Sequence, residues 1–186
     1  TVSVGRSHFK ARKAIYASDI VELASKLNEV ILSKETKTKD STITSIVLNT
    51  LELDSLLINK INEKLSKIFT SWNDYYNRNS GNFFKAFCEL LKSWGISVTE
   101  IGQLSTHKSQ FNINYQNGSK QILDLDFAEL GVNTNQFISG LLAKFYEAGV
   151  EINWTCLYKG NNYNKVSAPT YAFDETLFPI PKFRIM

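Results

Sequence analysis

The sequence holds few side chains able to do chemistry, and their spacing limits what they can do. His8 and His107 are its two histidines. A catalytic zinc site needs three protein ligands, and neither HExxH nor a paired CxxC accompanies them. A Walker loop, a GxGxxG turn and a GxSxG nucleophile elbow are also missing from the chain. Asp124 and Asp126 stand two apart at the end of an alternating run, a spacing that can put both carboxylates on one side of a strand. Without a third ligand they read as solvated edge residues. Cys88 lies beside an apolar helical stripe, with no histidine near it in sequence, and reads as a buried, inert thiol. Lys10, Arg12 and Lys13 beside Phe9 form a cluster too short for a nucleic-acid patch, so they read as a solvated turn before a strand. These residue types argue against an enzyme and imply no metal and no cofactor.

The elements that would position them follow from hydrophobic period. Ala14 to Ala17 is a short apolar run that reads as a strand. Ser18 is a good N-cap residue, and Asp19 and Glu22 sit where a helix dipole favours carboxylates. Ile20, Leu23, Leu27, Val30 and Ile31 then recur at helical spacing, predicting an amphipathic helix over 19–32. Ser33 to Thr44 is rich in Lys, Thr and Ser and reads as an internal loop. A second helix carries Leu53, Leu57, Ile61, Leu65 and Ile68 on one face, and Asp74 to Asn82 breaks it. A third runs from Phe83 to Trp94, and Gly95 stops it in a left-handed C-cap. Ile96 to Ile101 supplies a further strand. Phe111, Ile113 and Tyr115 alternate with polar residues, then Asn117-Gly118 precedes Ile122, Leu123 and Leu125. Asn-Gly between alternating runs predicts a hairpin over 110–125 with a type I′ turn. A last helix spans 134–148 and ends at Gly149. All three prolines (Pro169, Pro179, Pro181) fall in the tail, among Tyr171, Phe173, Phe178 and Phe183. Proline excludes a helix or a central strand there, so the tail reads as an extended strap whose aromatics need a surface.

Composition sets the frame around these elements. At 186 residues, with 43% apolar and 21% charged residues, the chain fits one ordinary globular domain. The division that follows is a domain over 1–165, with its internal loop near 33–44, and a strap over 166–186. The fold class expected is α+β, a small antiparallel sheet covered by helices. A net charge of +3 with only four arginines (Arg6, Arg12, Arg78, Arg184) gives no nucleic-acid signature. No run approaches the roughly 18 unbroken apolar residues of a membrane span. Two cysteines make no disulfide framework, and a cytoplasmic setting is the default. Thr1 in first place reads as the start of an excised or processed piece.

The two ends carry a resemblance. Thr1-Val2-Ser3-Val4-Gly5-Arg6-Ser7-His8-Phe9-Lys10-Ala11-Arg12, followed by an apolar run and a capped helix, resembles the segment after the ketosynthase in modular polyketide synthases. Gly149-Val150-Glu151-Ile152-Asn153-Trp154, then Leu157-Tyr158, then Val166-Ser167-Ala168-Pro169-Thr170-Tyr171-Ala172-Phe173, is similar to the linker that follows the acyltransferase. The usual form there is Gly-Val-x-Val-Asp-Trp and Leu-Pro-Thr-Tyr-Pro-Phe, from which this chain departs at Ala168 and Ala172. Leu90 to Ile96, ending at Gly102-Gln103-Leu104-Ser105, faintly resembles the approach to an acyltransferase nucleophile but lacks its histidine and second glycine.

The interval between the two ends is far too short for an acyltransferase. The resemblance is therefore to the reduced flanking domain of synthases whose acyltransferase acts in trans. It implies a non-catalytic piece that spaces a ketosynthase from downstream domains of the same polypeptide and offers a surface to a discrete acyltransferase. It implies contacts to the ketosynthase or the strap from Gly5, Arg6, Phe9, Arg12, Trp154, Tyr158, Pro169, Tyr171 and Phe173. Filling this domain's own core is the other reading of Trp154. The strap is expected to return to the opening segment, so that the two ends meet. The alternative is a vestigial acyltransferase or branching-type domain acting on a carrier-bound acyl chain, with Ser105 as its nucleophile.

Overall fold

The computed structural model describes residues 12–15, 17, 19–33, 42–103 and 108–157. It is α+β: a four-stranded sheet in the order β2-β1-β3-β4 with helices packed on it. The elements in chain order are α1 (Ile20–Ser33), β1 (Ile43–Thr50), α2 (Ser55–Ile68), α3 (Trp72–Arg78), α4 (Phe83–Ser93) and β2 (Glu100–Gln103). Then come β3 (Ser109–Tyr115), β4 (Lys120–Leu125), α5 (Phe127–Val132), α6 (Thr134–Glu147) and the single turn α7 (Trp154–Leu157).

Antiparallel pairing joins β1 to β3 and β3 to β4, whereas β1 and β2 run parallel. The sheet is thus mixed rather than antiparallel throughout. A parallel neighbour needs a long crossover, and α2, α3 and α4 supply it. Register places Leu48 opposite Phe111 and Phe111 opposite Leu123, so these three form one row of the inner face. All three are buried in the core with Phe87, Leu91, Leu141 and Phe145 from the helices. Phe111 meets Phe145 at 5.0 Å, and Phe127 gathers Phe83, Phe84 and Phe87 at 5.5–5.7 Å. The outer face is mostly polar: Asn49, Gln110 and Asp124 form one row, and Ser45, Asn114 and Lys120 another.

Several elements differ from the sequence expectation for local reasons. Ala14, Ile15 and Ala17 belong to no strand, and the first strand among the described residues is Ile43–Thr50, whose β-branched run ends the expected loop at residue 42. Asp19, rather than Ser18, caps α1: its Oδ1 accepts from the amides of Val21 (2.9 Å) and Glu22 (2.8 Å). Ser18 itself lies outside the described residues. The expected break after α2 contains α3, which Trp72 anchors in the core. Of Ile96–Ile101 only Glu100 and Ile101 enter β2.

The hairpin over 110–125 forms, with a different turn. Tyr115 N–H donates to Ser119 O at 3.0 Å and Gly118 N–H to Tyr115 O at 3.0 Å. Gly118 has φ +79, but Ser80 is the only described non-glycine residue with positive φ. Asn117 therefore cannot occupy a type I′ turn, which needs positive φ at both central residues. The loop holds three residues and ends in a left-handed glycine, as in a G1 bulge. Both helix stops are as expected. Gly95 (φ +87) follows α4 with Ile96 N–H bonded to Leu91 O, and Gly149 (φ +92) follows α6 with Val150 N–H bonded to Phe145 O.

None of the described side chains of α1 belongs to the buried core. Its Ile20 and Val21 are 77% and 76% exposed. No helix among the described residues is long and apolar enough to cross a membrane.

Candidate functional site: a seam between the opening segment and the end of the last long helix

α6 ends in Tyr146 and Glu147, and the reversal at Gly149 sends the chain back along the C-terminus of α4. Val150 and Ile152 are buried, and Asn153 N–H donates to Trp94 O at 2.7 Å. The backbone of 151–153 passes so close to Gly95 that a Cβ there would stand 3.3 Å from both Glu151 O and Asn153 N. Asn153 also starts α7, its Oδ1 accepting from Cys156 N at 3.1 Å. Trp154 then packs edge-on against the Tyr146 ring at 5.8 Å.

Onto this end of the domain comes the opening segment. Arg12 Nη1 donates to Val150 O at 3.1 Å, and Nη2 pairs with the Glu151 carboxylate. The same guanidinium stands 5.1 Å from the centroid of the Tyr146 ring. The Arg12 side chain is only 8% exposed, whereas Glu151 is largely solvated. Ala14 N–H donates to Glu147 Oε1 at 3.0 Å, and Lys13 Nζ lies 3.4 Å from the same oxygen. Two segments 133 to 139 positions apart are joined by hydrogen bonds, ion pairs and a cation–π contact around Tyr146. Such a site can clamp two backbones. Among its described residues no nucleophile is paired to a base.

Of the residues singled out from sequence, Arg12 and Trp154 come together here, on the same tyrosine. Trp154 is half-buried against this domain's own core. Gly5, Arg6, Phe9, Tyr158, Pro169, Tyr171 and Phe173 lie outside the described residues, as do His8, Ser105 and His107. Lys10 and Phe9 of the basic cluster lie outside as well, and its remaining members, Arg12 and Lys13, pair with acids of α6 and the turn after it. Sequence reasoning missed Tyr146 and Glu147. Their only signal was position, just before the glycine that reverses the chain, since polar residues at a helix end normally read as solvated.

Of the remaining chemical candidates, Asp126 has a structural role. Asp126 Oδ1 accepts from the amides of Ala128 (2.9 Å) and Glu129 (3.4 Å), capping α5. Asp124 is an exposed residue of β4 and Asp126 lies past its end, so the two acids do not stand on one strand. No group of three or more His, Cys, Asp or Glu among the described residues could hold a metal ion. Burial pushes the Cys88 thiol up to about 12. Cys156 is exposed. Beside Asp124 and Asp126 opens a cleft of about 640 Å³ between the β1–α2 connection, the end of β4 and α6. Comparison with family models, curated proteins and solved structures finds no match to the chain.

Proposed function

We propose that the chain is a non-catalytic flanking domain of a trans-acyltransferase polyketide synthase module, working in the cytoplasm between a ketosynthase and the next domain of the same polypeptide. The observation that carries this reading is the seam at Tyr146. The opening segment and the segment after α6 bear the family resemblance, and Arg12 binds one to the other. A spacer must fix its entry and exit points relative to each other, and a guanidinium held on a backbone carbonyl, a carboxylate and a ring does so with one side chain. The exposed apolar residues Ile20 and Val21 of α1 suit burial against a neighbouring domain, and a discrete acyltransferase is the second partner.

Two measurements test this. Incubation with malonyl- and acetyl-thioesters followed by intact mass analysis is expected to show no covalent acylation, and a stable adduct on Ser105 would overturn the reading in favour of an enzyme. A ketosynthase excised from a trans-acyltransferase module should bind the chain, with Ile20→Asp, Val21→Asp weakening the complex about tenfold or more, equivalent to roughly 1.4 kcal/mol or above. Failure of that ketosynthase to bind at all refutes the flanking role.

A further inference from the structure

The cleft of about 640 Å³ beside α6 shares no lining residue with the Tyr146 seam, and Asp124 and Asp126 stand at its edge. Its floor is apolar, with Leu53 from the β1–α2 connection, Leu125 from β4, and Phe137 and Leu141 from α6. Along one wall Gln136, Gly140 and Lys144 succeed one another at intervals of four residues, a single stripe of α6 about 12 Å long at 1.5 Å per residue. The centre of that stripe is bare: a Cβ built on Gly140 meets nothing within 4 Å. Glycine inside a helix is less stable than alanine, and neither left-handed φ nor crowding demands it at this position. What the missing Cβ provides is room for another backbone to lie close against the helix.

The rim adds a charge argument. Glu52, Asp124, Asp126 and Glu129 line the cleft together with Lys108 and Lys144, so four carboxylates against two ammonium groups leave −2 locally, on a chain whose net charge is +3. Glu52, Asp124 and Glu129 have no ion pair among the described residues. A groove with an apolar floor, a glycine gap and a negative rim suits a positively charged chain with an apolar anchor. Over about 12 Å an extended segment at roughly 3.3 Å per residue places about four residues.

We propose that this cleft docks an extended cationic peptide segment of a partner protein, with one apolar side chain on the Leu53–Leu141 floor and its backbone beside Gly140. The proposal stands without the polyketide-synthase reading and would survive its failure. The test is an amide NMR titration of the whole chain with the pentapeptide Lys-Lys-Phe-Lys-Lys. Saturable shifts are expected at Leu53, Leu125 and Gly140, falling off as salt is raised. Gly140→Leu places a Cβ where nothing lies within 4 Å and removes a glycine from the helix interior, so its thermal midpoint should hold or rise while binding weakens about tenfold or more. The Glu52→Lys, Glu129→Lys variant should weaken it several-fold with the groove's shape intact. The acid counterpart Glu-Glu-Phe-Glu-Glu should not bind. Equal binding of both peptides, indifference to both variants, or no localised shift would overturn the proposal. Decanoate shifting the same amides where the cationic peptide does not would reassign the cleft to an acyl chain.

Discussion

Gly95 and Gly149 both end helices with left-handed backbone, φ +87 and φ +92, yet their surroundings differ. A Cβ on Gly149 would meet nothing within 4 Å, whereas one on Gly95 would stand 3.3 Å from Asn153 N and Glu151 O, both backbone atoms. Alanine at either site carries the conformational cost of a left-handed residue, about 1–2 kcal/mol. At Gly95 the crowding adds to it. The 151–153 backbone has to move by a few tenths of an ångström, which strains the 2.7 Å bond from Asn153 N–H to Trp94 O. Losing a hydrogen bond of that kind costs about 0.5–1.5 kcal/mol. Gly149→Ala should therefore destabilise by about 1–2 kcal/mol, and Gly95→Ala by about 1.5–3.5 kcal/mol. Urea denaturation measures both, with an unchanged slope confirming that the unfolding transition is the same. Amide exchange supplies the second readout: Gly95→Ala should speed exchange at Asn153, and Gly149→Ala should leave that amide alone. Equal losses in the two variants, with Asn153 protected in both, would refute the claim that close backbone approach, in addition to φ, requires glycine at position 95.

Gly118 has φ +79 and open space around it, so Gly118→Val should cost about 1–2 kcal/mol from backbone strain alone. For a domain of this size that is a fall of roughly 2–8 °C in thermal midpoint, and no fall would mean that the loop turns without positive φ at this residue. Arg12→Ala removes a half-solvated ion pair and a cation–π contact, together about 1 kcal/mol, and amide exchange should quicken at Ala14 while the sheet stays protected. Burial raises the Cys88 thiol to about 12 from an ordinary 9.0. Between those values the unfolded chain has lost the proton and the folded one retains it, so stability from this group is fully present below pH 9 and falls as pH rises toward 12. Cys88→Ala should flatten that alkaline decline, and a thiol reagent at pH 8 should label exposed Cys156 while sparing Cys88 in the folded protein.

The features legible in the sequence were those decided within a few residues. The apolar stripes of α2, α4 and α6, the alternation of β3 and β4, and the stops at Gly95 and Gly149 follow from side-chain period and from the φ that only glycine takes readily. So did the α+β class, since helical and alternating runs are both present. Other features depended on partners far along the chain. Whether β1 found a parallel or an antiparallel neighbour rested on where the α2–α4 crossover delivered β2, which no local pattern records. The Asn-Gly hairpin closed with three residues, as the register of β3 on β4 required. Arg12, read locally, was one more solvated cation. Only the fold carried it to Val150 and Glu151, 138 and 139 positions away, and set it over Tyr146. The cleft beside Gly140 likewise needed the β1–α2 connection, β4 and α6 to converge, and no described side chain of α1 joins the buried core despite its helical period. Period and φ are set by neighbours in sequence, whereas pairing and burial are set by chain segments that become neighbours only once the fold has closed the loops between them.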